Sequence, residues 1–152
     1  MSNLACGCPG SMARTIEKTE EQTPNVTGRI ESELRQWPTQ LHLVPPTAPY
    51  LQKAHLLIAA DCAPFAYAEF HRDFIKGKVL VNACPKLDDT SPYVDKLAAM
   101  IANNDIQSVT VTIMEVPCCR GMAMFAQQAI AQSGKDVPLE IVVIGVDGQR
   151  RS

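Results

Sequence analysis

From Gln40 onward the chain alternates short, β-branched apolar runs with segments of helical spacing, and this alternation limits the folds open to it. The runs are Leu41–Val44, Leu56–Ala60, Lys78–Ala83, Ser108–Val116 and Leu139–Ile144, each bounded by polar or turn residues and too short for a helix. Between them, Val94, Leu97, Ala98 and Ile101 form one helical stripe, and Met122, Phe125, Ala126, Ala129 and Ile130 form a second. Ser91-Pro92 reads as a cap followed by a proline in the first turn, and Gly134 as a stop. Strand and helix in regular alternation predict an α/β fold: a single domain with a mostly parallel five-stranded sheet and flanking helices, Rossmann-like or flavodoxin-like. The connection from Pro45 to Ala54 holds two adjacent prolines and leaves room only for a very short helix.

The stretch before Gln40 is different. Residues 1–39 read as a cysteine-bearing arm and connector, and residues 40–152 as the α/β domain. Within the connector, Ile30 and Leu34 lie four apart with Pro38 behind them, which predicts a short helix over Thr27–Trp37. At 152 residues and 46% hydrophobic, the chain buries about 68–70% of its unfolded surface and does not depend on disulfides or a metal for its core. Its 14 basic and 16 acidic residues give no electrostatic footprint for nucleic acid or an anionic membrane. The first thirty residues contain no apolar stretch of signal-peptide type, so the expected location is the cytoplasm. In that reducing compartment cysteines serve metal binding or catalysis more often than structural disulfides.

The six cysteines are distributed in a pattern. Cys62 follows the second expected strand, Cys84 ends the third, and the pair Cys118-Cys119 follows the fourth. All sit at carboxyl ends, which in a parallel sheet share one rim where ligand crevices form. Cys6 and Cys8 lie in Cys6-Gly7-Cys8-Pro9-Gly10-Ser11, where glycine lets the backbone wrap closely round a bulky group. Thiolates are the ligands of iron–sulfur clusters and zinc, and a 4Fe-4S cluster takes four. Helices opening after Cys62 and near Gly121 would direct amide groups toward the thiols, lowering their pKa values. Adjacent residues seldom both face one metal centre, so Cys118 is the preferred ligand of its pair. Three rivals remain open. Structural zinc usually shows C-x2-C pairs, and Cys6-x-Cys8 is the only tight spaced pair. A dithiol oxidoreductase would use Cys6 and Cys8 or Cys118 and Cys119. A nucleophilic cysteine would pair with His42, His55 or His71. No G-x-G-x-x-G or Walker pattern follows any expected strand.

Beyond Cys6–Ser11, the segments Gln36-Trp37-Pro38, Ala59-Ala60-Asp61-Cys62, Phe70-His71, Cys84-Pro85-Lys86-Leu87-Asp88 and Glu115-Val116-Pro117-Cys118-Cys119 form a distinctive set. With them, nearly the whole chain resembles the iron–sulfur-binding proteins of anaerobic bacteria grouped as the 4Fe-4S ferredoxin family. Many of those proteins carry a C-x2-C-x2-C-x3-C-P run ahead of this region, a run this sequence does not contain. The resemblance implies an iron–sulfur cluster, most simply 4Fe-4S, ligated from among Cys6, Cys8, Cys62, Cys84, Cys118 and Cys119; with no substrate-pocket signature beside the thiols, the expected role is electron transport or redox sensing rather than catalysis. The implied macromolecular partner is a redox protein, with a homodimer also open. A looser likeness, at the level of fold, is to small electron-transfer subunits of hydrogenases and respiratory complexes. Some of these use six cysteines for one modified cluster, so a larger or modified cluster is also compatible.

Overall fold

The computed structural model describes residues 10–17 and 28–152; Cys6 and Cys8 lie outside the described residues. Strands β1 (Arg14–Thr15) and β2 (Gln36–Trp37) pair antiparallel. The main sheet holds β3 (His55–Ala60), β4 (Val79–Ala83), β5 (Ser108–Met114) and β6 (Leu139–Ile144), all parallel, in the order β4-β3-β5-β6. Helix α1 (Ala63–Ala66) follows β3, α2 (Tyr93–Asn103) follows β4, and α3 (Arg120–Ser133) follows β5. The fold is therefore Rossmann-like α/β, with four strands in the sheet rather than five.

The missing strand has a local cause. At Leu41–Val44 the amides of Leu43 and Val44 both return to the carbonyl of Gln40, at 2.9 and 3.0 Å, and close a turn. Leu41 and Val44 are buried while Leu43 is exposed, a spacing of three that suits a turn. Pro45 and Pro46 then supply no amide to a ladder. What survives of the fifth strand is one parallel bridge from Gln40 to Asn82 on the outer edge of β4. The expected helix over Thr27–Trp37 is also absent: its described part, residues 28–37, is irregular up to β2, and Ile30 is 80% exposed. Without a second apolar residue to bury there, the segment gains nothing from a helix. Gln36 instead ties the connector to β4, its Nε2 donating to the Leu80 carbonyl at 2.6 Å and its Oε1 accepting from the Leu80 amide at 3.4 Å.

Both helical stripes form as expected, with Leu97, Ala98 and Ile101 of α2 and Met122, Ala126 and Ala129 of α3 buried. Gly134 ends α3 at φ 72°, the left-handed conformation that favours glycine. Ser91 does not cap α2. Its amide and hydroxyl both turn back to Asp89 Oδ1, at 3.1 and 2.8 Å, and the helix starts after Pro92.

The chain moves from β3 to β4 in one direction across the sheet, then back past β3 to β5 and β6. Right-handed crossovers consequently place the 61–78 connection on one face and α2 and α3 on the other. The direction changes between β3 and β5, which makes their carboxyl ends the crevice position of the fold. Both strands are buried over nearly their whole length, and apart from the buried Thr110 and Thr112 of β5 their polar side chains lie at their ends. Because the buried Gln36 amide satisfies both Leu80 backbone groups, Gln36→Leu should cost about 1–3 kcal/mol per group left unpaired. A urea titration would show this as a lower midpoint with an unchanged slope.

Candidate functional site

Every described cysteine lies at the carboxyl rim. Cys62 is the residue before α1, Cys84 follows β4, and Cys118 and Cys119 close a 3-10 turn, Pro117–Cys119, that runs directly into α3. The four thiol residues line one cleft of about 210 Å3 together with Asp61, Pro85, Met114, Val116 and Val146. Residues far apart in the chain meet here because three parallel strands deliver their ends to one place. The approach is close: a methyl group added at Gly121 would touch Pro85 Cβ at 3.4 Å, so the first turn of α3 lies against the Cys84 turn.

The thiols differ in environment. Cys62 and Cys118 are exposed, Cys84 is half-buried and Cys119 is buried. Burial pushes the Cys119 thiol up, because the thiolate loses solvation; the Met114 backbone works against this, and the neighbouring Cys118 and Cys62 add to it. The adjacent pair therefore does not split as its sequence suggests: both Cys118 and Cys119 line the cleft, since successive residues of the tight turn reach it from its end.

A second tier fixes the loops. Asp61 Oδ1 accepts from Asn82 Nδ2 at 2.7 Å, which links the end of β3 to β4 beside Cys62. Asp88 Oδ2 accepts from the Cys84 amide at 3.0 Å and from the Tyr93 hydroxyl. On the β6 side, Arg151 bonds Glu115 Oε2 at 3.2 Å and Asp147 Oδ2 at 2.8 Å, and so holds the loop carrying Val146. Phe65 is 92% and Leu87 83% exposed, on the segments that follow Cys62 and Cys84.

None of the three histidines lines the cleft. His42 stacks on Tyr93 with ring centres 4.8 Å apart, and His71 Nδ1 accepts the Glu33 amide at 3.1 Å. His55 opens β3 and shares a 2.7 Å hydrogen bond with Ser108 at the opposite rim. Sequence reasoning did not identify Asp61, Met114, Val116 and Val146 as lining residues, although each lies within two residues of a strand end. Among the described residues, no group of three or more His, Cys, Asp or Glu side chains converges to hold one metal ion. Nor is any helix of the described residues long and apolar enough to cross a membrane.

A single parallel α/β layer system with its crevice between β3 and β5 defines the class, and the comparison agrees: the family described as "Rossmann-like domain" matches residues 48–150, and the chain belongs to it. It is also similar to an uncharacterized protein of Archaeoglobus fulgidus, 32% identical over 116 residues, which cover 76% of this chain and 81% of that relative. No solved structure matches.

The differing thiol environments lead to an expected order of reactivity. In reduced, metal-free protein, iodoacetamide should modify Cys62 and Cys118 first and Cys119 last. The rate at Cys119 should continue to rise with pH beyond the range of an ordinary free thiol, because its raised pKa keeps it protonated longer. Mass mapping of time points at several pH values reads this directly.

Proposed function

We propose that this protein binds an iron–sulfur cluster at the carboxyl rim and serves in electron transfer or redox sensing in the cytoplasm. The observation that carries the proposal is that all four described cysteines, from three separate loops, line one cleft. The donor set fits the group. Four sulfur ligands with no histidine suit iron–sulfur chemistry, and 4Fe-4S takes four thiolates. Structural zinc gathers four ligands within about 2.0–2.3 Å of one point, usually from C-x2-C pairs, and this sequence holds no C-x2-C pair. A cluster asks less of its ligands, since each thiolate reaches a different iron. Bound there, the cluster supplies a one-electron couple, and the protein's part is to hold, shield and hydrogen-bond the sulfurs. Exposed Phe65 and Leu87 beside the cleft give a redox partner, or a second copy of the chain, an apolar contact close to the centre.

Cys6 and Cys8 belong to the proposed ligand set as well, and support comes from chain direction. Segment 39–41 runs parallel to β4 toward its carboxyl end, and β1 runs antiparallel to β2 just before it. Read backward from Arg14, the described residues 10–13 thus continue in the direction of the cysteine rim. Gly10, pinned by a 2.7 Å bond from Trp37 Nε1, is two residues from Cys8, a reach of about 7 Å. With these two thiols available, a larger or modified cluster is compatible with the same cleft.

A second reading, a dithiol oxidoreductase, is favoured by one observation: the adjacent Cys118 and Cys119 both line the cleft. Anaerobic purification separates the two. The expected result is a brown protein containing iron and acid-labile sulfide, with a visible band that bleaches on reduction. Zinc without sulfide would sink the cluster, and metal-free protein with a reducible disulfide would favour the dithiol. Removing residues 1–10 should change the cluster spectrum or its lifetime while leaving the α/β core folded by circular dichroism. An identical spectrum would restrict the ligands to Cys62, Cys84, Cys118 and Cys119.

A further inference from the structure

Of the three cysteine loops, the one after β4 is closed by an arrangement the others lack. The Asp88 amide donates to the Cys84 carbonyl at 2.9 Å, and Asp88 Oδ2 accepts the Cys84 amide at 3.0 Å, so the turn is sealed at both polar groups of the cysteine. The same carboxylate oxygen accepts the hydroxyl of Tyr93, the first residue of α2. Tyr93 is completely buried, with its ring against His42 and edge-on to Phe125 of α3 at 6.0 Å. A side chain locked in that way gives Asp88 one position. Tyrosine is a costly choice for a site that needs only packing, because a buried hydroxyl requires a partner; here the partner is the group that holds Cys84. Burial, then the bond to Asp88, raises the Tyr93 pKa, which keeps it a donor at neutral pH.

Resting on the iron–sulfur reading, we propose that Asp88, held by Tyr93, is the positioning residue of Cys84 and keeps a fixed negative charge beside that ligand, lowering the reduction potential of the cluster. Cluster potentials follow net charge and hydrogen bonding around the sulfurs. A carboxylate anchored at the Cys84 amide disfavours the added electron, and the Tyr93 hydroxyl moderates it by donating to the same oxygen. Alignment of the thiol and tuning of the cluster thus come from one pair, a half-buried carboxylate and a buried tyrosine.

Two experiments on the full chain test this. Asp88→Asn keeps an oxygen to accept from Cys84 and Tyr93 but removes the charge. In the cluster-loaded protein it should raise the reduced-to-oxidised ratio at a fixed applied potential about tenfold, which is about 59 mV for a one-electron couple. Tyr93→Phe should move the ratio the other way. A purely structural role would leave the Asp88→Asn potential at the wild-type value, and that result overturns the charge assignment. The second experiment needs no cluster. In reduced apo-protein, Asp88→Ala and Tyr93→Phe should raise the iodoacetamide rate at Cys84 several-fold while leaving Cys62 unchanged, with wild-type circular dichroism. Unchanged rates at Cys84 overturn the brace. Protein that never takes up iron and sulfide, yet shows the Cys84 response, overturns the iron–sulfur reading and the effect on potential, and supports the brace alone.

Discussion

The parallel ladder joining β3 to β4 on one side and to β5 on the other is the constraint from which the site follows. Parallel pairing requires each strand to run the same way, so every carboxyl end arrives at one rim and every return passes over a face. With β3 and β5 buried along nearly their whole length, an unpaired polar side chain inside the sheet would be costly. Side chains that carry chemistry are thereby displaced to the residues just past each strand. Cys62, Cys84 and Cys118-Cys119 occupy those positions, and the cleft they line is a product of strand direction as much as of cysteine placement.

How far this was legible from residues alone depended on whether a segment's fate was decided locally. The apolar runs at Leu56–Ala60 and Leu139–Ile144 are strands because no other element buries runs of that length and composition, and the stripes of α2 and α3 bury the faces their spacing marks. The cysteine rim was legible for the same reason, since it needs only strand order and direction. Leu41–Val44 failed because a four-residue apolar run fits a turn whose first and last side chains are buried, and the deciding bonds, from Leu43 and Val44 to Gln40, are invisible in composition. The segment up to Trp37 failed for a nonlocal reason: Gln36, polar and unremarkable in sequence, is buried by its two bonds to Leu80. Ser91 has the right residue type for a cap and is claimed by Asp89 two residues earlier. The lining residues Asp61 and Val146 gave no signal beyond proximity to strand ends.

Support for the loops is unevenly distributed, and the unevenness is informative. Surface ion pairs such as Arg151 with Glu115 and Asp147 contribute little, because each partner keeps much of its hydration. The Asn82–Asp61 bond and the Tyr93–Asp88–Cys84 chain sit closer to the thiols and are partly withdrawn from solvent, where a satisfied hydrogen bond matters more and a broken one costs more. The rim is accordingly hydrogen-bonded beside Cys62 and at Cys84, and exposed where Phe65 and Leu87 project. A centre that exchanges electrons with a docked partner needs both properties: fixed ligands, and an apolar surface that can be covered on contact.

The protonation state of the thiols completes the physical case. As thiols, the four cysteines behave as small apolar groups and are compatible with a cleft walled by Pro85, Met114, Val116 and Val146. As thiolates they would place several negative charges in a confined space beside Asp61, and Cys119, already raised by burial and by its cysteine neighbours, would resist ionising. Neither the three histidines nor any other basic side chain lines the cleft to offset that charge. On the proposed reading bound iron would offset that charge, and on the dithiol reading oxidation of a thiol pair would avoid it. The first alternative uses all four positions, whereas the second uses two and leaves Cys62 and Cys84 unexplained. That asymmetry favours a cluster over a dithiol.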